Sequence, residues 1–276
     1  MSWRAVVTAL DEGEAFRSRV SMYLHPLAGR PLLWHAVSTL LETVPAPSGI
    51  LVLHRSELAG QLPEMPPGVR CRSVEEGQEA RALRAAVTAP GPTVLVDGAA
   101  ALLTSATISR LLRAAQSGVA MVEGEDEHLP GLAVAGEGPA LASADDPRHP
   151  VGSSRVAPTL AKERSRVVDR HSLAAAAVVV RDRLVRQHEE RGVTFLLSSS
   201  VLLDMDVRIG VDTVIYPGVV LEGATVVGSE CVIGPYSRIV ESTIGRGSEL
   251  EGWNYVLRTQ VRNHAVLDAY ARRGDE

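Results

Sequence analysis

The chain has 276 residues, of which 45% are hydrophobic and 22% are charged, and its formal net charge is −5. This length corresponds to about two domains, and the composition is typical of globular rather than disordered or fibrous proteins. The acidic balance argues against nucleic acid as a partner, no apolar run is long enough to span a membrane, and the N-terminus does not resemble a secretory signal. We therefore expect a cytoplasmic protein that binds neither nucleic acid nor membrane.

The first 120 residues alternate short apolar strands with amphipathic helices. The strand segments are RAVVTAL, GILVLH, PTVLVDG and GVAMVEG, and the helix segments are PLLWHAVSTLLETV, EEGQEARALRAAVTA and SATISRLLRAAQSG. This alternation predicts a parallel sheet with helices on both faces. Ligands of such sheets bind beyond the C-terminal ends of the strands. The turns at Leu10–Gly13 and Asp97–Ala101 are therefore the candidate site.

The central segment, residues 124–166, is rich in glycine, proline and acidic residues. This composition predicts long loops with one hairpin, and Glu123, Glu125 and Asp126 are expected to form a solvated acidic loop. Residues 171–191 favour a helix that Gly192 ends.

A hexapeptide repeat dominates the C-terminal part. From Leu203 to Ile239 an aliphatic residue returns every six positions, and the step shortens once before Ile244 and again before Val261. A second row, two residues earlier, is mostly small or β-branched and shifts in step. This pattern predicts a parallel β-helix of roughly four coils from Val201 to Leu267. Cys231 lies in the small-residue row, so we expect it to be a buried packing residue.

Four coils form a small β-helix with open ends and flat faces, which association of several copies would cover. A homotrimer is therefore our default hypothesis. Trp253 and Tyr255 are unusual within the repeat and are expected to close its end, pack against a neighbouring subunit, or bind a partner. His264 is expected to be solvated.

Three segments of the chain stand out: SMYLHPLAGRPLLWHAV at 21–37, VVDRHSL at 167–173 and the repeat at 192–245. All three resemble segments of the bacterial bifunctional N-acetylglucosamine-1-phosphate uridyltransferase / glucosamine-1-phosphate acetyltransferase (GlmU) family. The resemblance implies an α/β nucleotidyltransferase-like (Rossmann-like) domain at 1–170 with a shortened sugar-binding lobe and a linker helix at 171–192. It further implies a left-handed parallel β-helix at 193–276 that lacks the acetyltransferase site.

The family joins UTP to a sugar 1-phosphate, and the resemblance implies a glycine-rich loop, a lysine and Mg²⁺. Counted without gaps, the loop falls on residues 8–16, where Gly13 persists but the arginine position is Ala15. The lysine falls on Met22, and the single lysine of the chain is Lys162.

Acidic residues occupy the loop instead: Asp11, Glu12 and Glu14. Their charges would repel a triphosphate. Arg17 and Arg19 lie nearby and are the candidate phosphate-binding residues after a shift in register.

The two metal ligands of the family fall on Ala99 and Val168, which carry no oxygen in their side chains. Asp97 could bind the metal after a slip in register, although capping of a turn is the favoured role. Asp169 and Arg170 are expected to position the linker helix.

These substitutions suggest a catalytically impaired paralogue, a pseudoenzyme that keeps the scaffold and has a structural or regulatory role. It would act in a trimeric assembly, for example with an active partner enzyme of cell-wall precursor synthesis. No cofactor is expected, except Mg²⁺ if the protein is active. The alternatives are an active sugar-1-phosphate nucleotidyltransferase with an altered site or substrate, and a sensor that binds a nucleotide-sugar ligand without turnover.

Overall fold

The computed structural model describes residues 2–11, 13–125 and 131–274, so Glu12 and Asp126 of the predicted acidic loops lie outside the described residues. The chain divides into two compact units. The α/β unit comprises residues 1–25 and 31–176, and the β-helix unit comprises residues 26–30 and 177–276.

The α/β unit contains the strands and helices that the sequence predicts for the first 120 residues, together with an unpredicted six-residue strand at 69–74 and further short elements. A two-stranded hairpin of β2 (Pro26–Leu27) and β3 (Arg30–Pro31) follows β1 (Arg4–Ala9) in the chain, and its residues 26–30 belong to the β-helix unit. The strands of the main α/β sheet are β1, β4 (Ile50–Arg55), β5 (Val69–Val74), β6 (Pro92–Asp97), β7 (Ala120–Val122), β8 (Ala133–Glu137) and β9 (Ser154–Arg155). Its helices are α1 (Leu32–Leu41), α2 (Glu79–Val87), α3 (Ser105–Ala114) and α4 (Gly138–Ala142), and α5 (Arg170–Glu189) continues into the β-helix unit.

The main sheet has the strand order β5-β4-β1-β6-β8-β7-β9. Strands β1, β4 and β6 pair in parallel, as predicted, and β5, which was not predicted, also pairs in parallel with β4. Strand β8 is antiparallel to both β6 and β7, so the predicted strands run in one direction but the whole sheet is mixed. The prediction of a parallel sheet missed β8, a strand that lies within the segment expected to be mostly loop. Helices α2 and α4 contact each other, as do α1 and α3, and Leu83, Val87 and Leu141 join the core on one face of the sheet.

The β-helix unit consists of three sheets of short parallel strands, with five, five and four members. The first sheet comprises β10 (Thr194–Phe195), β13 (Val214–Ile215), β16 (Val232–Ile233), β19 (Glu249–Leu250) and β22 (Val266–Leu267). The second comprises β11 (Leu202–Leu203), β14 (Val220–Glu222), β17 (Arg238–Val240), β20 (Tyr255–Leu257) and β23 (Arg272–Arg273). The third comprises β12 (Arg208–Ile209), β15 (Val226–Val227), β18 (Thr243–Ile244) and β21 (Gln260–Val261).

Burial confirms the two rows that the repeat predicts. Every residue of the aliphatic row, from Leu203 to Leu267, is at most 8% exposed, and Cys231 of the small-residue row is fully buried. The register confirms the shortened steps, because Ile215 pairs with Ile233 and Ile233 pairs with Leu250. The turns that lose one residue contain Glu241 and Arg258 in the left-handed region, with φ values of 46° and 45°.

The hairpin at 26–30 packs on the first coil of the β-helix. The Met205 amide donates to the carbonyl of Ala28 over 3.0 Å, and Arg30 Nη2 lies 2.5 Å from Asp206 Oδ2. Gly29 has a φ of 76°, and a Cβ there would lie 2.4 Å from Cγ of Asp204. This position therefore requires glycine for close approach as well as for backbone conformation.

Within residues 2–11, 13–125 and 131–274, no helix is long and apolar enough to cross a bilayer.

Candidate functional site

The two turns selected from the sequence lie at the same edge of the α/β sheet. In the register of the sheet Thr8 is paired with Asp97 and Ala9 with His54, so β1, β4 and β6 end side by side. A cavity of about 540 Å³ opens there. It is lined by Leu10, Asp11, Gly13, Glu14, Ala15, Met22, Arg55 and Val168.

Met22 fills the space next to the retained loop glycine. Gly13 has a φ of 65°, and a Cβ there would lie 2.8 Å from Sδ of Met22. The Met22 side chain is only 2% exposed. The glycine therefore allows close packing of an apolar thioether, which offers no positive charge to a phosphate.

The described charges on the cavity wall are mostly negative. Asp11 and Glu14 are exposed carboxylates. Arg55 also lines the cavity, but its Nη1 lies 2.8 Å from Oε1 of Glu79 and its Nε donates to the carbonyl of Leu10 over 2.9 Å. This wall would repel a triphosphate rather than neutralise it.

Asp97 binds two partners of the chain itself. Its Oδ1 accepts a hydrogen bond of 2.8 Å from the Ala99 amide, and its Oδ2 lies 3.0 Å from Nη2 of Arg166. Both side chains are largely buried, at 15% and 11% exposure. Burial raises the pKa of Asp97, against the opposing effect of the Arg166 charge. The amide contact gives Asp97 the turn-capping geometry expected of it.

This arrangement does not fit the magnesium ion that the family resemblance implies. Mg²⁺ needs oxygen ligands, but the side chains of Ala99 and Val168 provide none. Oδ2 of Asp97 is already bound to the guanidinium of Arg166. The described part of the chain contains no group of three or more His, Cys, Asp or Glu residues that could hold a metal. A role of Asp97 as a metal ligand stays a prediction.

Arg17 and Arg19, the candidate phosphate-binding residues, are both exposed. Arg17 follows the 14–16 turn in the left-handed conformation, with a φ of 47°. Arg170 Nε donates to the carbonyl of Phe16 over 3.0 Å, and Asp169 Oδ1 accepts from the Ser172 amide over 2.7 Å. Asp169 and Arg170 thus fix the first turn of α5, as expected.

Sequence reasoning missed the side chains that surround Asp97. Arg166 is 69 positions away in the chain, and no local pattern indicates the contact. Tyr23 is 1% exposed, its hydroxyl accepts from the Asp11 amide over 3.3 Å, and burial together with Asp97 raises its pKa well above the usual value. Arg148 forms a bidentate pair with Asp146, in which Nε donates to Oδ1 over 3.1 Å and Nη2 donates to Oδ2 over 2.9 Å.

No family model matches the chain. Curated proteins named "Bifunctional protein GlmU" match over 105 residues, with 43% identity in Caldanaerobacter subterraneus and 44% in a Geobacillus species. These matches cover 38% of this chain and 23% of each relative, so the chain matches about a quarter of the length of these relatives.

Among solved structures, a nucleotidyl transferase from Methanothermobacter aligns with a TM-score of 0.50 at 18% identity. The alignment covers 67% of this chain and 99% of that protein, and at this identity it shows the fold alone. The chain is therefore similar to GlmU proteins over 105 residues, and it joins an α/β unit of nucleotidyltransferase-type fold to a parallel β-helix.

Proposed function

We propose that this GlmU-like chain is a UDP-N-acetylglucosamine pyrophosphorylase-like protein that no longer performs metal-dependent uridyl transfer. It serves instead as a structural or regulatory subunit of a homotrimer, within cell-wall precursor synthesis. The observation that carries this proposal is the buried pair of Asp97 and Arg166. A metal ion could reach Asp97 only by displacing the guanidinium, and breaking such a buried pair costs about 3–5 kcal/mol.

The residues that line the cavity of the α/β unit support the same proposal. Transfer to a nucleotide α-phosphate depends on positioning and on neutralising the developing negative charge. At the position of the family's lysine the chain has Met22, packed against Gly13, and the exposed charges beside it are Asp11 and Glu14. The 540 Å³ cavity therefore keeps room for a ligand, but the one cation among its described lining residues, Arg55, is already paired with Glu79.

A row of stacked aromatic rings supports the assembly. Tyr236, Trp253 and Tyr270 follow one another at one corner of the β-helix, with ring centroids 5.7 and 5.5 Å apart. Their exposures are 60%, 49% and 70%. We call these three residues the aromatic corner.

The adjoining sheet adds to this surface, because Tyr255 lies between the guanidiniums of Arg238 and Arg272, which are 5.8 and 5.3 Å from its ring centre. Tyrosine, tryptophan and arginine are the residues most enriched in protein interfaces. We propose that this surface packs against two further copies of the chain.

One observation favours a second candidate function. Arg17 and Arg19 are exposed and follow the lining residue Ala15 in the chain, so they could bind the phosphates of a nucleotide-sugar without a metal. In that case the protein would be a sensor, or a nucleotidyltransferase with a rebuilt site.

Pyrophosphate release tests the proposal. The full chain would be incubated with Mg²⁺, each of four nucleoside triphosphates and several sugar 1-phosphates, with an active GlmU as the positive control. We expect no turnover. Mg²⁺-dependent turnover by the full chain with any pair of these substrates would overturn the proposal. Binding of UDP-N-acetylglucosamine that persists with a chelator and is lost in Arg17→Gln would instead support the sensor.

Sedimentation velocity tests the assembly separately. We expect a particle of three times 29.4 kDa. Trp253→Asn should dissociate it, because asparagine tolerates the left-handed backbone of this corner while removing the ring. The matched control is His264→Asn, which changes an exposed residue with a similar φ of 56° at another corner. A monomeric wild-type chain, or equal effects of both variants, would contradict this interface.

A further inference from the structure

A small polar pocket of about 180 Å³ lies in the β-helix unit, whereas the candidate site belongs to the α/β unit. It is formed by the last turns of α5 and by the turn that leads into β12. The polar residues that line it are Gln187, His188, Arg191, Asp206 and Arg208.

The imidazole of His188 is the buried polar group of this pocket. The residue is 3% exposed, and its Nδ1 has no hydrogen-bond partner among the described residues. Burial and the adjacent Arg191 lower the pKa of His188, so the ring is neutral near pH 7. Buried polar groups nearly always have a partner, which can be a bound water or ion.

The described charges around the pocket favour an anion as that partner. Arg191 and Arg208 are exposed guanidiniums, and neither forms a salt bridge with a described residue. Asp206 is the one carboxylate among the described lining residues, and Arg30 already neutralises it at 2.5 Å. The cationic side chains of Arg191 and Arg208 therefore remain available to bind an anion at the mouth of the pocket.

The size of the pocket limits the ligand. Sites for drug-sized molecules and cofactors occupy about 300–1,000 Å³, whereas one water takes up about 30 Å³. A volume of 180 Å³ is therefore too small for a nucleotide-sugar but accommodates one tetrahedral oxyanion with a few waters. Guanidinium groups match the oxygen geometry of phosphate through paired hydrogen bonds.

We propose that this pocket binds a small oxyanion of the phosphate type between Arg191 and Arg208, with the imidazole of His188 as a hydrogen-bonding partner on the inner wall. The proposal goes beyond the proposed function and does not depend on it, because it concerns only residues of the β-helix unit.

Thermal unfolding of the full chain, with inorganic phosphate titrated at constant ionic strength against sodium chloride, provides the first test. We expect a saturable rise in Tm with phosphate and with sulfate, but not with acetate. Each charge-assisted hydrogen bond contributes about 1.5–3 kcal/mol, so Arg191→Gln and Arg208→Gln should each weaken phosphate binding about tenfold or more. The matched control is Arg262→Gln, at an exposed arginine of the same unit outside the pocket.

Nitrogen-15 spectra of the histidine rings give the second test. The His188 ring signals, identified by their loss in His188→Gln, should shift with phosphate and saturate at the concentration found by unfolding. Those of exposed His264 should not shift. An equal effect of chloride, equal weakening in Arg262→Gln, or phosphate binding that Arg17→Gln removes and Arg191→Gln does not, would overturn the proposal.

Discussion

Replacing Arg166 by methionine isolates the contribution of the buried ion pair. The pair is separated by 3.0 Å, and Coulomb's law with an effective dielectric constant of about 20 gives an attraction of about 5 kcal/mol. Because the variant leaves the Asp97 carboxylate buried without its cation, we expect the free energy of unfolding to fall by about 3–5 kcal/mol. For a unit of this size that loss lowers Tm by about 6–20 °C.

Urea unfolding followed by tryptophan emission measures this loss in the α/β unit. In a Trp253→Phe background the remaining reporters, Trp3 and Trp34, both lie in that unit. The double variant Asp97→Asn with Arg166→Met should recover most of the stability, because it removes both charges together.

The matched control is Arg155→Met, which removes the arginine of an ion pair with Glu123 in the same unit. The Arg155 side chain is 66% exposed, so we expect a loss below about 1 kcal/mol. Equal losses for Arg166→Met and Arg155→Met would refute the reasoning. So would a double variant no more stable than Arg166→Met alone.

Three further predictions concern other buried groups. Glu163→Gln should lower the free energy of unfolding by about 1.5–3 kcal/mol in urea, because the fully buried carboxylate accepts a 2.6 Å hydrogen bond from the Thr107 hydroxyl. In native protein a thiol reagent should modify exposed Cys71 quickly and buried Cys231 only on unfolding, and equal rates would contradict the assigned burial. His188 has a folded-state pKa below 6.5, so the unfolded chain binds the proton more readily and stability falls as pH falls below about 6.5. Urea unfolding between about pH 7.5 and 5.5 should show a loss of at most about 1.4 kcal/mol per pH unit, and His188→Gln should remove it.

Part of the candidate site follows from the sequence. The turns after β1 and β6 could be located because parallel strands end at one edge of a sheet, and the register of Thr8 with Asp97 confirms this. The sequence also shows that Met22 occupies the position of the family's lysine. Its packing against Gly13 was not, because that contact depends on the path of the loop between them.

The sequence alone determined the β-helix, since each six-residue unit repeats the same inward and corner positions and burial of the rows depends only on local spacing. It also predicted the strands and helices of the first 120 residues whose apolar patterns are local, but it missed β5, most of whose residues are exposed.

Only the tertiary structure decided that β8 enters the sheet antiparallel, because the pairing of this short, glycine-containing strand depends on its neighbours rather than on its own residues. The same holds for the pairing of Asp97 with Arg166 and for the pocket around His188. Contacts between residues far apart in the chain are set by packing of whole elements, and no local pattern in the sequence records them.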